Sequence, residues 1–162
     1  MTDHVIVRTT MRAGDLGRII ELHGEVYDPL PGFGLHFEAF VGRTIANFVL
    51  DDRANGQIWL AEREGRLVAC TAIVLREGGH GQLRWVLVAP SERGLGLGKQ
   101  LVSDALHYCR GQGCRSVFLE TTDGLKESQT LYESLGFTVT SDTVADLWDG
   151  PRPLIVMELA LT

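Results

Sequence analysis

The sequence is poor in cysteine. Its three, Cys70, Cys109 and Cys114, are an odd number with no CxxC among them. That excludes a disulfide scaffold and points to free thiols in a reducing compartment. Ligand spacing is also missing from the five histidines, His4, His23, His36, His80 and His107. A zinc site needs three or four convergent ligands, so no metal is expected. Positive charge is scarce: 15 Lys and Arg against 21 Asp and Glu leave a net charge of −6. Nucleic acid and anionic membranes recruit clustered Lys and Arg, so neither is the expected partner. No apolar run reaches the roughly 18 residues of a membrane span. The opening MTDHVIVRTT lacks the basic-then-apolar layout of a secretory leader, so a cytoplasmic location is the expectation.

Repeats, linkers and low-complexity runs are absent too. With 44% apolar residues in 162, the chain is expected to bury its own core as one domain over residues 5–162. Val5 to Thr9 reads as strand β1. Asp15 is positioned to cap helix α1, running to about Tyr27. Two prolines and two glycines make DPLPGFG, 28–34, a loop. Helical spacing returns over Phe37–Leu50 (α2), with Phe37, Phe40, Val41, Ile45 and Phe48 on one face. Three strands follow, β2 (57–63), β3 (67–76) and β4 (82–88), joined by turns at Gly65 and Gly78-Gly79. LVACTAIVL in β3 is nearly all apolar or small, as a central strand covered on both faces requires. Leu97, Leu101, Ala105 and Tyr108 recur at helical spacing (α3), before SVFLETT (β5) and a short helix over 126–135 (α4). Gly136 supplies a left-handed stop after α4, and Phe137 packs back on its last turn. Closing strands β6 and β7 fall at 137–144 and 154–159. The expected fold is α/β (α+β mixed sheet), ordered β1-α1-α2-β2-β3-β4-α3-β5-α4-β6-β7, with helices on both faces and a parallel β4–β5 pair.

VAPSERGLGLGKQL, 88–101, carries the densest signal. It follows β4 and opens α3. It is no P-loop, because Gly98-Lys99 is followed by Gln100 and Arg93 stands where the first glycine belongs. It is no dinucleotide fingerprint, because Lys99 takes the third glycine position and the loop comes late in the chain. What remains is Arg93-x-x-Gly96-x-Gly98 at a helix N-terminus. The N–H groups of Gly94, Leu95, Gly96, Leu97, Gly98 and Lys99 precede the helical ladder and suit a pyrophosphate, with Arg93 and Lys99 adding charge.

At these residues the chain resembles the GNAT superfamily of acetyl-CoA-dependent N-acetyltransferases. Val88, Pro90, Arg93, Gly96 and Gly98 match its V-x-P-x-x-R/Q-x-x-G-x-G/A segment. Leu119-Glu120-Thr121 and Leu131-Tyr132-Glu133…Gly136-Phe137 match its second segment, and the element order agrees over about residues 5–160. A narrower resemblance is to the acetyltransferase half of bacterial proteins that fuse a MarR-type winged helix to a GNAT domain. The chain has no room for the winged helix, which implies a stand-alone relative that does not bind DNA.

The resemblance implies a function: transfer of an acetyl group from acetyl-CoA to a primary amine, on a small molecule or a peptide N-terminus, by direct attack on the thioester. A non-catalytic acyl-CoA sensor is the other reading. The family's β4 carries a bulge, which implies that the backbone of Val86, Leu87 and Val88 binds pantetheine and the acetyl oxygen. Tyr132 corresponds to the general acid that protonates the CoA sulfur, and Glu120 to a general base. Phe118 and Leu119 are expected to desolvate Glu120. His80, Glu21 and His23 remain alternative bases. Leu125 stands where the family often has a pantetheine-binding Asn, and Ser128 where it has Ala; Ser128 or Thr122 would compensate. The acceptor side corresponds to the 27–37 and 142–153 loops. There Tyr27, Phe33, His36, Phe37 and Trp148 stand beside Asp28, Asp142, Asp146 and Asp149, a lining suited to a cationic amine. Many relatives dimerise through edge strands, which implies a homodimer.

Overall fold

The computed structural model describes residues 4–161, so Thr162, the last position of the expected 5–162 domain, lies outside the described residues. Seven strands form one sheet: β1 (Val5–Arg8), β2 (Gly56–Arg63), β3 (Arg66–Arg76), β4 (His80–Val88), β5 (Ser116–Thr121), β6 (Thr138–Leu147) and β7 (Gly150–Ala160). Their spatial order is β1-β2-β3-β4-β5-β7-β6. β4 and β5 run parallel and every other neighbouring pair runs antiparallel. The strand–helix–strand order around α3 (Leu97–Gly111) explains the one parallel pair.

Two helix pairs cover the sheet, and β3 shows why. Along it, Cys70, Ala72 and Val74 pack with Ile19 and Leu22 of α1 (Asp15–Tyr27) and Ile45 of α2 (Leu35–Asn47). Ala69 and Ile73 turn the other way, toward Leu101, Val102 and Ala105 of α3 and Tyr132 of α4 (Lys126–Ser134). A strand covered on both faces has no solvent side, so its sequence shows no polar alternation. Each large side chain buried here stabilises the fold by roughly 1.5–3 kcal/mol. α4 stops as its sequence suggests. Gly136 sits at φ +98°, its N–H donates to the Glu133 carbonyl (3.0 Å), and the Phe137 N–H donates to the Tyr132 carbonyl (3.1 Å). This pair of bonds fixes Tyr132 at the helix end.

Three elements differ from the sequence reading. α2 begins at Leu35 and passes into a wider π turn over Phe48–Asp52. β6 and β7 extend to Leu147 and from Gly150, so most of 142–153 is a paired hairpin rather than a loop. The third is Asp15, which does not cap α1. Gly14 takes that position, and Asp15 is buried as the first helical residue. Its carboxylate accepts from the Arg12 N–H (2.7 Å) and from both terminal nitrogens of Arg8 (2.8 and 2.7 Å). Arg8 also reaches Glu62 of β2 at 2.6 Å. One cation thus ties β1, α1 and β2, and a buried ion pair overrides the cap.

The Arg8 guanidinium holds the Asp15 carboxyl below the usual carboxylate range. The stability it contributes is therefore complete above the unfolded value of about 3.9 and is lost as pH falls through the lowered folded value. Asp15→Asn leaves Arg8 partly unpaired and is expected to cost about 3 kcal/mol at pH 7 in urea unfolding. The gap to the unmodified protein should narrow below pH 4, and a constant gap would contradict the assignment.

Candidate functional site

The site begins with a fault in β4. Cys70 of β3 pairs with Leu87, but Ala72 pairs with Arg84. One residue of β3, Thr71, therefore faces two of β4, Trp85 and Val86, which makes a β-bulge. Trp85 takes φ +50°, a left-handed backbone that a bulky residue rarely adopts. Four contacts hold it there. The Cys70 thiol donates to its carbonyl (3.2 Å), its indole N–H donates to Thr44 Oγ1 (3.3 Å), the Phe48 ring meets it edge-on (5.5 Å), and the Arg84 guanidinium lies 4.5 Å over its ring.

The bulge parts β4 from β5. Their pairing ends after Gln82↔Phe118, while β5 continues to Thr121 against β7. A slot opens between Leu83–Val88 and Leu119–Thr121. The Ala89 N–H donates to the Val68 carbonyl (2.8 Å). By strand alternation Leu87 also turns its backbone to β3, and Val88 turns its N–H toward the slot.

Two cavities meet at this slot. The larger, about 850 Å³, runs along the start of α3 and is lined by Val86, Leu87, Val88, Arg93, Gly94, Gly96, Leu97, Gly98, Lys99 and Ser128. Every residue the sequence suggested for the cofactor lines it except Leu95, which is 69% exposed and stands off the cleft, but Leu87 does so without a free backbone group, since its backbone faces β3. Gly96 sits at φ +79°, a turn that an L side chain would strain. A Cβ on Gly98 would come within 3.2 Å of Val88 Cγ2, so the missing side chain keeps the cleft floor open. The first bond of the α3 ladder is from the Gln100 N–H to the Gly96 carbonyl (3.0 Å), which leaves the N–H groups of 97–99 ahead of it. Arg93 spans the mouth to Glu127 of α4 at 3.3 Å.

The smaller cavity, about 180 Å³, lies between α2, the slot and the β6–β7 turn. Tyr132, Glu120, His23 and Arg84 all line it. Burial pushes the Tyr132 phenol well above its ordinary value, and its hydroxyl has no hydrogen-bond partner among the described residues. Glu120 is solvent-exposed although Phe118 and Leu119 flank it: Leu119 is buried in the core cluster on the α3 side and borders the cavity only from there. Its walls are aromatic. Phe37 packs against Phe33 (5.1 Å) and Trp148 (4.9 Å). Trp148 donates to the Gly32 carbonyl (2.8 Å), and Arg152 lies 4.5 Å over Phe33 while pairing with Asp123 (3.2 Å) and Asp149 (3.6 Å). These contacts join the α1–α2 loop to the β6–β7 turn.

Not every sequence candidate converges. His36, Asp28, Asp142 and Asp146 are exposed and off the cavity, and Asp149 is held by Arg152. Hence the aromatic half of the expected lining assembles and the acidic half does not. Edge and loop carboxylates stay in water. Glu21 is exposed outside the cavity, and His80 bonds Ser116 Oγ (2.6 Å) at the far end of β4. The Thr122 hydroxyl is committed to the Pro153 carbonyl (2.7 Å), leaving Ser128 as the polar group beside Leu125. Sequence reasoning missed Gln82, Arg84 and Phe40 in the wall. For Arg84 the available signal was a charge within the apolar run of β4.

Comparison with known proteins points one way. Residues 25–137 match the family model described as the acetyltransferase (GNAT) family. The chain is 30% identical over 147 residues to glucosamine 6-phosphate N-acetyltransferase of Trypanosoma brucei brucei, covering 85% of this chain and 92% of that one. It is 40% identical over 81 residues to mycothiol acetyltransferase of Thermomonospora curvata, a match covering 50% of this chain and only 27% of the relative. Among solved structures, a GNAT-family acetyltransferase of Staphylococcus aureus Mu50 superposes with TM-score 0.80 at 17% identity, over 98% of this chain and 100% of that one. A ribosomal-protein-alanine N-acetyltransferase of Brucella melitensis gives 0.73 at 21%, over 96% and 99%. At these identities the structural likeness speaks for the fold.

His23 supplies a test of the site's burial. Its Nδ1–H donates to the Ile19 carbonyl (2.8 Å), and burial pushes its pKa down to about 4. The unfolded chain binds the proton at about 6.5, so stability is full above that pH and falls as pH drops toward 4, by about 2 kcal/mol at pH 5. His23→Leu is expected to flatten urea-unfolding stability between pH 7 and 5. An unchanged slope would mean that His23 titrates normally.

Proposed function

The chain belongs to the GNAT acetyltransferase family, and from that membership we propose that it moves an acetyl group from acetyl-CoA to a primary amine, on a small molecule or a peptide N-terminus. The reading also takes it as a relative of the acetyltransferase halves of MarR-type fusion proteins. The observation that carries the proposal is the junction of the two cavities: Tyr27, Val86, Leu125 and Ser128 line both. A donor in the larger cleft and an amine in the smaller cavity would meet beside the β4 bulge. Proximity of this kind supplies much of the rate of a bimolecular transfer.

Acetyl-CoA, when bound, supplies an activated acetyl thioester. The glycine loop fits its pyrophosphate: the unladdered N–H groups at the start of α3 attract an anion, and Arg93 and Lys99 stand on the rim. Val86 and Val88 border the slot where the acetyl oxygen would lie, and a donor there stabilises charge that develops on that oxygen. Glu120 accepts one proton from the ammonium through a water, which frees the nitrogen lone pair to form the C–N bond as the C–S bond breaks, and the second proton passes from that nitrogen to the phenolate that Tyr132 leaves. Tyr132 gives its phenolic proton to the departing sulfur. Burial keeps the Tyr132 phenol protonated at pH 7, and a thiolate released into the same water-poor space is itself made more basic by desolvation, so it can draw that proton. Ser128 bonds the pantetheine arm in place of the Asn that Leu125 replaces.

Thiol release from acetyl-CoA with a panel of amines, amino acids and short peptides tests the reading. Acetyl-CoA bound without turnover would favour a non-catalytic acyl-CoA sensor, and no binding would remove the proposal. Tyr132→Phe is expected to bind acetyl-CoA unchanged in calorimetry while kcat falls roughly a hundredfold. Unaltered kcat would strip Tyr132 of the acid role.

A further inference from the structure

Arg84 stands in the wall of the smaller cavity without a counter-ion. The other half-buried arginines each have a carboxylate: Arg8 has Asp15 and Glu62, Arg63 has Glu92, Arg76 has Asp52 and Arg152 has Asp123 and Asp149. Among the described residues no carboxylate is in ion-pair contact with Arg84, whose direct partner is the Trp85 ring at 4.5 Å. Desolvation weakens its hold on the proton, Arg76 adds to that, and Glu120 and Asp52 oppose it from longer range. A guanidinium partly withdrawn from water and lacking an anion is costly. Nor is its place accidental. The strand alternation that sends Leu83 into the core turns Arg84 to the α2 side, and the bulge that begins at the next residue opens the slot in front of it.

The remaining walls are mainly apolar. Phe37, Phe40, Leu119 and Trp148 enclose the space, and among the described residues Glu120 is the one carboxylate lining it. A cavity of about 180 Å³ suits one small molecule. On the acetyltransferase reading above, we propose that the acceptor is an amine bearing a carboxylate on an apolar or aromatic body, and that Arg84 binds that carboxylate. A planar guanidinium matches a carboxylate through paired N–H donors, and Trp85 stacked on one face fixes its plane. The amine end then points to the junction shared with the larger cleft. Arg84 sets specificity, while the proton transfers remain with Glu120 and Tyr132.

The test uses acceptor pairs that differ by the carboxylate: phenylalanine and phenethylamine, leucine and 3-methylbutylamine. β-Alanine against 2-aminoethyl phosphate separates a carboxylate from a phosphate. The unmodified protein is expected to acetylate the amino acid of each pair with the higher kcat/KM. Arg84→Met is expected to raise KM for the amino acids roughly ten- to a hundredfold more than for the plain amines, the worth of one charge-assisted contact. Arg84→Lys should recover part of the loss. Because Arg84 also stacks on Trp85, melting temperature and acetyl-CoA affinity are measured for each variant, and the effect is read as the ratio of kcat/KM between the two members of a pair, which a general loosening of the site leaves unchanged. Equal losses on both members of a pair, preference for the plain amine, or preference for the phosphate would each overturn the proposal. Acetyl-CoA turnover with other amines but none of these acids would overturn it and spare the acetyltransferase reading. Absence of acetyl-CoA binding would overturn both.

Discussion

A single strained residue organises this protein. Trp85 holds a left-handed backbone in the middle of β4, at a cost of about 1–3 kcal/mol. The fold sustains it because each exit is blocked. The Cys70 thiol, kept protonated by burial that pushes its pKa up to about 12, donates to the Trp85 carbonyl. Thr44 and Phe48 fix the indole from the helical side. Without the bulge, β4 and β5 would pair along their length. The slot between them would close, and the two cavities would have no common wall.

The rest of the architecture serves that opening. The Arg8–Asp15–Glu62 cluster ties α1 to the sheet, so that α1 and α2 press on the bulge from a fixed base. Behind the slot, the bidentate Arg63–Glu92 pair (2.8 and 3.0 Å) holds the short turn that leads β4 into the glycine loop. The stop at Gly136 sets where Tyr132 faces the cavity. On the far side, Arg152 and Trp148 clamp the α1–α2 loop onto the β6–β7 turn. The larger cleft is open and lined by the glycine loop, whereas the smaller cavity is walled by aromatic rings. That division suits a site that accepts one cofactor and selects among amines.

Much of this was legible in the sequence because local chemistry dictates it. The apolar run of β3, the glycine loop before α3 and the Gly136 stop each have a short-range cause, and each appears where the residues indicate. The glycine motif also located the larger cleft almost residue by residue. The failures share a different origin. Asp15 has the chemistry of a cap, but Arg8, seven residues earlier in sequence, claims its carboxylate in three dimensions. Asp142 and Asp146 look like acceptor ligands in a loop, yet they lie on an edge strand turned to water. Glu120 has apolar neighbours along the chain, but alternation sends Leu119 away from it. Arg84 went unnoticed because only the fold reveals that no carboxylate among the described residues pairs with it. Long-range pairing is what a one-dimensional reading leaves open.

The central claim is that the bulge brings donor and acceptor together. The most direct measurement is a crystal structure with coenzyme A bound. The account predicts the pyrophosphate on the N–H groups at the start of α3, the pantetheine in the slot between β4 and β5, and the sulfur facing the Tyr132 hydroxyl near Val86. Pantetheine running outside that slot, or a sulfur remote from Tyr132 and the smaller cavity, would contradict it.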